Sequence, residues 1–216
     1  MSTRPLFITF EGLDGSGKST HLRRAAEWLT ERGVPHVVTH EPGGTPLGDE
    51  LRSIFLDKRW GSMDGTVELL LVFASRRQHL LEVIDPALAA GRHVLCDRFT
   101  DSTRAYQGYG RGVPLDLIEQ VNRVATGGRT PDHTLLFDLP AEAARARGHS
   151  PTRKGNGSDR LDAEGLAFYG RVRQGFLDVA ERERERFHLV DTAGDSRSAQ
   201  ERVRCVLGRW LGLEGE

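Results

Sequence analysis

An α/β fold with a parallel sheet covered on both faces is what the sequence predicts, and three observations predict it. Gly12-Leu-Asp-Gly-Ser-Gly17-Lys18-Ser19 fits G-x-x-x-x-G-K-[ST], the phosphate-cradling P-loop. An apolar, β-rich run from Leu6 to Phe10 precedes it, and a helical pattern begins at Ser19. Strand-like and helix-like segments then alternate to the end of the chain.

The first strand, Leu6 to Glu11, leads through the loop into a helix from Lys18 to about Glu31. Its apolar positions Leu22, Ala25, Ala26 and Leu29 recur at helical spacing. Gly33 closes that helix, and Val34 to Thr39 is a second strand. Thr45 and Pro46 have the chemistry of an N-cap and a first helical position. In the helix they open, Leu47, Leu51, Ile54 and Phe55 mark the expected buried face, with Arg52 turned away. A long helical region follows from about Thr66 to Ala90. Its centre, Leu69 to Ala74, is apolar almost all round and is expected in the middle of the protein.

Gly91 ends that region, and His93 to Cys96 forms a third strand leading to Asp97-Arg98. Two short helices are expected, Ser102 to Tyr109 and Pro114 to Ala125. A fourth strand, His133 to Leu139, is followed by a helix through Ala146. The Gly-rich, cationic segment of about residues 148–160 reads as a mobile lid loop rather than a linker, because helix and strand follow directly. A helix from Leu166 to about Arg186 carries Glu181-Arg-Glu-Arg-Glu-Arg186, expected as a solvated face. Phe187 to Val190 is the fifth strand, and Ser198 to Leu211 the last helix.

The 216 residues suit one domain, 1–216, with a sizeable core. A formal net charge of −1 supplies no global attraction to nucleic acid or to an acidic membrane, so neither is expected as a partner. Cys96 and Cys205 are too few for a disulfide framework, and no secretory signal or membrane-length apolar run is present. A reducing cytoplasm is the expected compartment, with Cys96 a small buried hydrophobe.

In the loop, glycines let successive N–H groups point at phosphate oxygens, and the helix N-terminus adds partial positive charge. Gly12, Leu13, Asp14, Gly15, Ser16, Gly17, Lys18, Ser19 and Thr20 are therefore the expected ATP-binding residues, with Lys18 on the β- and γ-phosphates and Ser19 on Mg²⁺. In such a sheet ligands gather beyond the carboxyl ends of the strands, here Glu11-Gly12, Glu41, Asp97-Arg98, Asp138 and Asp191. Asp191-Thr-Ala-Gly194 spells the D-x-x-G of a switch GTPase, but on the last strand, and no N-K-x-D accompanies it. A loop beside a purine ring, or a plain strand-to-helix turn, suits it better.

Three clusters favour a small-molecule phosphotransferase. Glu41-Pro-Gly-Gly-Thr45 with Arg52 follows strand two. Asp97-Arg98-Phe99 follows strand three and puts an acid where Mg²⁺ is usually supported. Gln107 with Tyr106 and Tyr109 is able to read a base. Arg52 and Arg98 suit one phosphate gripped by bidentate hydrogen bonds.

Together with Ala105-Tyr-Gln-Gly-Tyr-Gly-Arg-Gly112, Arg129-Thr-Pro-Asp132 and Asp159-Arg160, these segments make the chain resemble bacterial thymidylate kinases over nearly its whole length. The resemblance implies a P-loop NTPase fold of the nucleoside monophosphate kinase type, a five-stranded parallel sheet flanked by helices with a short lid. It implies transfer of the ATP γ-phosphoryl group to dTMP by a Mg²⁺-dependent homodimer. Carried over by residue, Arg52 and Arg98 would hold the dTMP phosphate, with Glu41 in the same site. Arg76 would bond the thymine, and Gln107 and Thr103 its other polar edge. Tyr106 would lie under the deoxyribose, and Asp14 would act near the 3′-hydroxyl and the metal, beside Asp97 and Ser19. Where members of that family commonly stack a phenylalanine on thymine, this chain has Val72; Phe73, three residues before Arg76, is the candidate for that task.

None of the variable loop positions is cationic, so a second charge beyond Lys18 must arrive from elsewhere. Arg153, Lys154 and Arg160 are the expected source. The acceptor is a phosphate with a second pKa near about 6, already largely dianionic at neutral pH, so no general base is required. Two alternatives stay open here: a kinase for another pyrimidine monophosphate (UMP or dUMP), and a nucleotide-binding protein without turnover.

Overall fold

The computed structural model describes residues 4–148 and 159–213. The expected Arg153 and Lys154 of the lid lie outside them. Five parallel strands make one sheet: β1 Phe7–Gly12, β2 His36–His40, β3 His93–Asp97, β4 His133–Asp138 and β5 Phe187–Asp191, in the spatial order β2-β3-β1-β4-β5. β1 is central, pairs with β3 and β4, and is buried along its whole length, which is why Phe7, Ile8 and Phe10 are apolar on both faces of the strand.

Alternate residues of β1 serve two layers. Ile8 and Phe10 join Leu95, Leu135 and Phe137 beneath α1 (Lys18–Glu31) and α9 (Ser196–Leu211), where Leu22, Leu29, Val203 and Leu207 complete the core. Phe7, with Val94 and Cys96, packs on the other side against Leu80, Ile84 and Ala87. Thr9 and Glu11 also belong to that side. They are buried, and Thr9 meets Thr134 of β4 hydroxyl to hydroxyl at 2.8 Å.

Helix α2, Pro46–Leu56, starts as expected: Thr45 Oγ1 accepts from the amide of Gly48, and Pro46 takes the first position. Its buried face differs from expectation. Phe55 is buried, but Leu47 and Ile54 are exposed, and Arg52 points inward to donate to the Pro42 carbonyl at 2.9 Å. Helix α3, Gly65–His79, continues through the π-helical residues Leu80–Ile84 into α4, Asp85–Ala89. Its centre is not buried all round either. Leu69, Val72 and Phe73 face inward, whereas Leu70 is 55% exposed and Val67 and Ala74 face outward.

After β3, the short helix α5, Thr100–Thr103, runs into π-helical Arg104–Gly110. There Arg111 N–H reaches back to the Tyr106 carbonyl, and the wide turn presents Tyr106 and Gln107 to one cleft. Helices α6 (Leu115–Thr126), α7 (Ala141–Gly148) and α8 (Leu166–Arg182) complete the layers.

The charged run of residues 181–186 begins in the last turn of α8, which ends at Arg182, and is only partly solvated. Arg184 pairs with Glu181 at the surface, but Arg186 turns in and grips both oxygens of the buried Asp101 at 2.7 and 2.8 Å. Arg104 holds the same carboxylate and Glu119. Among the described residues no helix is long and apolar enough to cross a membrane.

Candidate active site

The loop between β1 and α1 has the backbone its glycines allow. Gly12, Gly15 and Gly17 have φ of 140°, 86° and 90°, and a side chain on Gly12 would start 2.5 Å from the Phe137 carbonyl oxygen. Lys18 is nearly enclosed, its Nζ 3.3 Å from Asp14 Oδ1. Ser16 Oγ is buried without a protein partner, and Ser19 and Thr20 are exposed at the helix mouth. A cavity beside this mouth is lined by Ser16, Gly17, Thr20, Arg147, Thr192 and Gly194. The Asp191-to-Gly194 turn thus borders the nucleotide loop.

Ser19 Oγ donates to Asp97 Oδ2 at the end of β3, and Asp97 Oδ1 is buried with no partner. A hydroxyl and an orphaned carboxylate oxygen are a hard-oxygen donor set that fits Mg²⁺, which keeps waters and substrate phosphates for its remaining positions. No cluster of three or more His, Cys, Asp or Glu ligands occurs among the described residues. Asp14, expected near the 3′-hydroxyl and the metal, lies between Lys18 and the second cleft. It accepts from Lys18, from Arg98 Nη2 at 2.9 Å and from the Tyr106 hydroxyl at 3.2 Å.

Next to the loop lies this second cleft. Asp14, Glu41, Arg52, Val72, Arg76, Arg98, Ser102, Thr103, Tyr106 and Gln107 are among its walls, so nearly all the expected substrate residues meet there. Arg98 has φ 74°, rare for a residue with a side chain, and this turn swings its guanidinium from the strand end back onto the Gly12 carbonyl. Buried Glu11 fixes that turn, accepting from the Phe99 amide at 2.7 Å and from Ser102 Oγ at 2.6 Å. Burial, with the charge of Asp101 adding to it, pushes the Glu11 pKa up to about 8. Burial opposes the charge on Arg98 too, but Asp14 and Tyr106 more than offset it and raise its pKa. Arg52 is lowered, first by burial and then by repulsion from Arg98. Two guanidiniums close enough to repel each other form a site for an anion.

At the far end, Arg76 is 1% exposed. Its Nε donates to Glu41 Oε2 at 2.6 Å and its Nη2 to Thr103 Oγ1 at 3.1 Å, while Nη1 is buried and unpartnered. Glu41 is itself fixed by His79 Nδ1 at 2.9 Å, and Thr39 meets the other ring nitrogen of His79 at 2.6 Å. Tyr106 carries Arg98 over its ring at 5.0 Å, and burial holds its phenol protonated. Such a cleft has an anion end, a polar planar end and an aromatic floor.

Three expected residues sit elsewhere, the first being Tyr109, whose ring lies against Gly175 of α8 and not in the cleft. Phe73 does not line the cleft: it packs with Leu69, Val113, Ile118 and Ala125, its ring 4.7 Å behind the Arg76 guanidinium. At a helical offset, one residue turns the side chain about 100°, so Val72 lines the cleft and Phe73 supports Arg76 from behind. Arg160, expected as a mobile lid cation, is 5% exposed and held inward. Its Nη1 donates to Glu68 Oε1 at 2.7 Å and its Nε to the Phe55 carbonyl, so it braces the cleft wall instead of facing the nucleotide loop.

Glu68 and His79 were not singled out from the sequence, and Glu11 was named only as a strand end. A carboxylate inside the apolar stretch of α3, two helical turns before Arg76, is the one readable signal, because a buried charge needs a partner.

A family model described as thymidylate kinase matches residues 10–203. A thymidylate kinase of Desulfosudis oleivorans is 46% identical over 208 residues, covering 94% of this chain and 97% of that relative. One from Geobacter sulfurreducens is 50% identical over 187 residues, 86% and 88% of the two chains. The crystal structure of thymidylate kinase from Ehrlichia chaffeensis superposes with a TM-score of 0.75 at 36% identity, covering 95% of this chain and 99% of that one.

Proposed function

Because this chain belongs to the thymidylate kinase family, we propose that the two adjoining sites divide one reaction, transfer of the γ-phosphoryl group of ATP to dTMP, giving ADP and dTDP. ATP takes the loop, with Lys18 and the amides of residues 15–19 on its phosphates and the base beside Thr192 and Arg147. The second cleft takes dTMP, phosphate toward Arg52 and Arg98, sugar over Tyr106, thymine toward Arg76, Thr103 and Gln107. The observation that carries this reading is Asp14, which binds Lys18 of one site and Arg98 of the other through the same oxygen. That single carboxylate sets the spacing of the cations on either side of the transferring group, and such transfer is mostly positioning plus charge neutralisation.

Ser19 and Asp97 would hold Mg²⁺, which when bound neutralises charge on the ATP phosphates. Tyr106, tied to Asp14 and Arg98, keeps the floor of the cleft rigid and crowds a 2′-hydroxyl. The acceptor is nucleophilic as it stands, so Asp14 and Asp97 organise rather than remove protons. Cys96 and Cys205 are both free thiols, which suits a reducing cytoplasm.

The active unit we propose is a homodimer built on α2, α3 and α6, which pack side by side. Leu47 and Ile54 on α2, Val67 and Leu70 on α3 and Val124 on α6 are large apolar side chains left exposed, and a second copy would cover them.

The test is ADP release with ATP and Mg²⁺ against dTMP, dUMP, UMP, dCMP, dGMP and AMP. Turnover on dTMP well above the rest is expected. A different preferred monophosphate would move the base contacts, and silence on all six would remove the kinase reading.

A further inference from the structure

Gln107 can read a base in either of two ways, because its amide offers a carbonyl acceptor on one side and an NH₂ donor on the other. Which side faces the cleft is decided by a residue that does not line it. Glu68, on α3 and fully buried, stands 2.9 Å from the Gln107 amide through Oε2. Its other oxygen, Oε1, accepts from Arg160 at 2.7 Å and from Arg111 at 3.0 Å. A carboxylate gripped by two guanidiniums only accepts. The group that Gln107 turns toward it must therefore be the NH₂, whichever way an amide is drawn. That leaves the Gln107 carbonyl oxygen for the cleft the residue lines.

We propose that Glu68 is a specificity-determining positioning residue: by locking the Gln107 amide with its acceptor toward the cleft, it makes the site select a pyrimidine whose N3 carries a proton. The inference rests on the reading above that this cleft holds the monophosphate base. Beside Gln107, Arg76 contributes a buried donor, Nη1, with no partner in the protein. An acceptor next to a donor matches the N3–H and O4 of thymine or uracil. Cytosine presents the opposite pair, a bare N3 and an amino group. Discrimination then comes from unpaired or opposed polar groups in a dry site, which is more severe than a lost apolar contact.

The geometry gives Glu68→Gln a directional consequence. The two arginines keep the carbonyl of residue 68 on the Oε1 side, so its new NH₂ faces Gln107. Gln107 must then invert, giving its carbonyl to residue 68 and its NH₂ to the cleft. The substitution is isosteric, and a merely structural role would lower turnover on every substrate alike.

The experiment measures kcat/KM for dTMP, dUMP, dCMP and a 2-pyrimidinone deoxynucleoside monophosphate, in which N3 is a bare acceptor and C4 carries only hydrogen. In wild type the last should be at least about tenfold worse than dUMP. In Glu68→Gln that order should shrink or reverse, with the loss concentrated in KM. Adding Gln107→Glu should restore the preference for an N3–H base, because a carboxylate at 107 accepts from both sides. Equal losses on all four substrates, with no change in their order, would overturn the proposal. If Glu68→Gln does not fold, the wild-type comparison decides: the 2-pyrimidinone compound used as well as dUMP would overturn it. Wild type that ignores pyrimidines altogether would instead sink the reading of the cleft, and the two failures are thereby separate.

Discussion

At the scale of single residues, the site is a set of charged groups each fixed by another. Arg98 would be a wandering side chain at a strand end, yet Glu11 pins the backbone beyond it and Asp14 pins its head. That arrangement makes a pH prediction. The folded pKa of Glu11 is raised, from an ordinary 4.5 to about 8, by burial and by Asp101. Between those values the folded protein keeps a proton that the unfolded chain releases, so this group lowers stability as pH rises from about 5 to about 8. Glu11→Gln cannot titrate there. Its melting temperature relative to wild type should therefore climb across that window in pH-scanned thermal unfolding. Parallel curves would show that Glu11 is not the group responsible.

At the scale of elements, helices α2 and α3 show how far periodicity carries. Both were legible as helices, and Thr45-Pro46 fixed where α2 begins. Their faces were not, for two reasons. Arg52 and Phe55 lie three apart and share the inner face, so a cation took a position that hydrophobicity alone assigns elsewhere. Leu70 and Val67 are apolar yet exposed, since hydropathy does not distinguish a core from a surface that another chain covers. If α2 and α3 form that surface, Leu70→Glu should convert a dimer to a monomer in light scattering behind size exclusion, while the monomer stays folded. A wild-type protein already monomeric at micromolar concentration would contradict the assignment.

On the scale of the whole molecule, the strand order explains why the two sites adjoin. β1 sits between β3 and β4, so the loop after β1 and the Asp97-Arg98 turn after β3 open side by side. Sequence reasoning reached this much because motifs at strand ends carry their chemistry with them. It missed the supports Glu68 and His79, and the supporting task of Glu11, because a buried carboxylate or imidazole declares its purpose only through partners distant in the chain. It placed Phe73 and Arg160 at the ligand for the same reason in reverse: both are near the right elements and face the other way.

In the proposed reaction the second cleft holds a nucleoside monophosphate with its phosphate on Arg52 and Arg98. The most direct measurement is calorimetric titration of dTMP and of thymidine, which lacks the phosphate, into wild type and Arg98→Ala. Wild type should bind dTMP far more tightly than thymidine. In Arg98→Ala that advantage should fall by roughly 30- to 100-fold, the size of a lost charge-assisted bidentate contact, with thymidine little affected. An undiminished advantage for dTMP in the variant would remove Arg98 from the phosphate site.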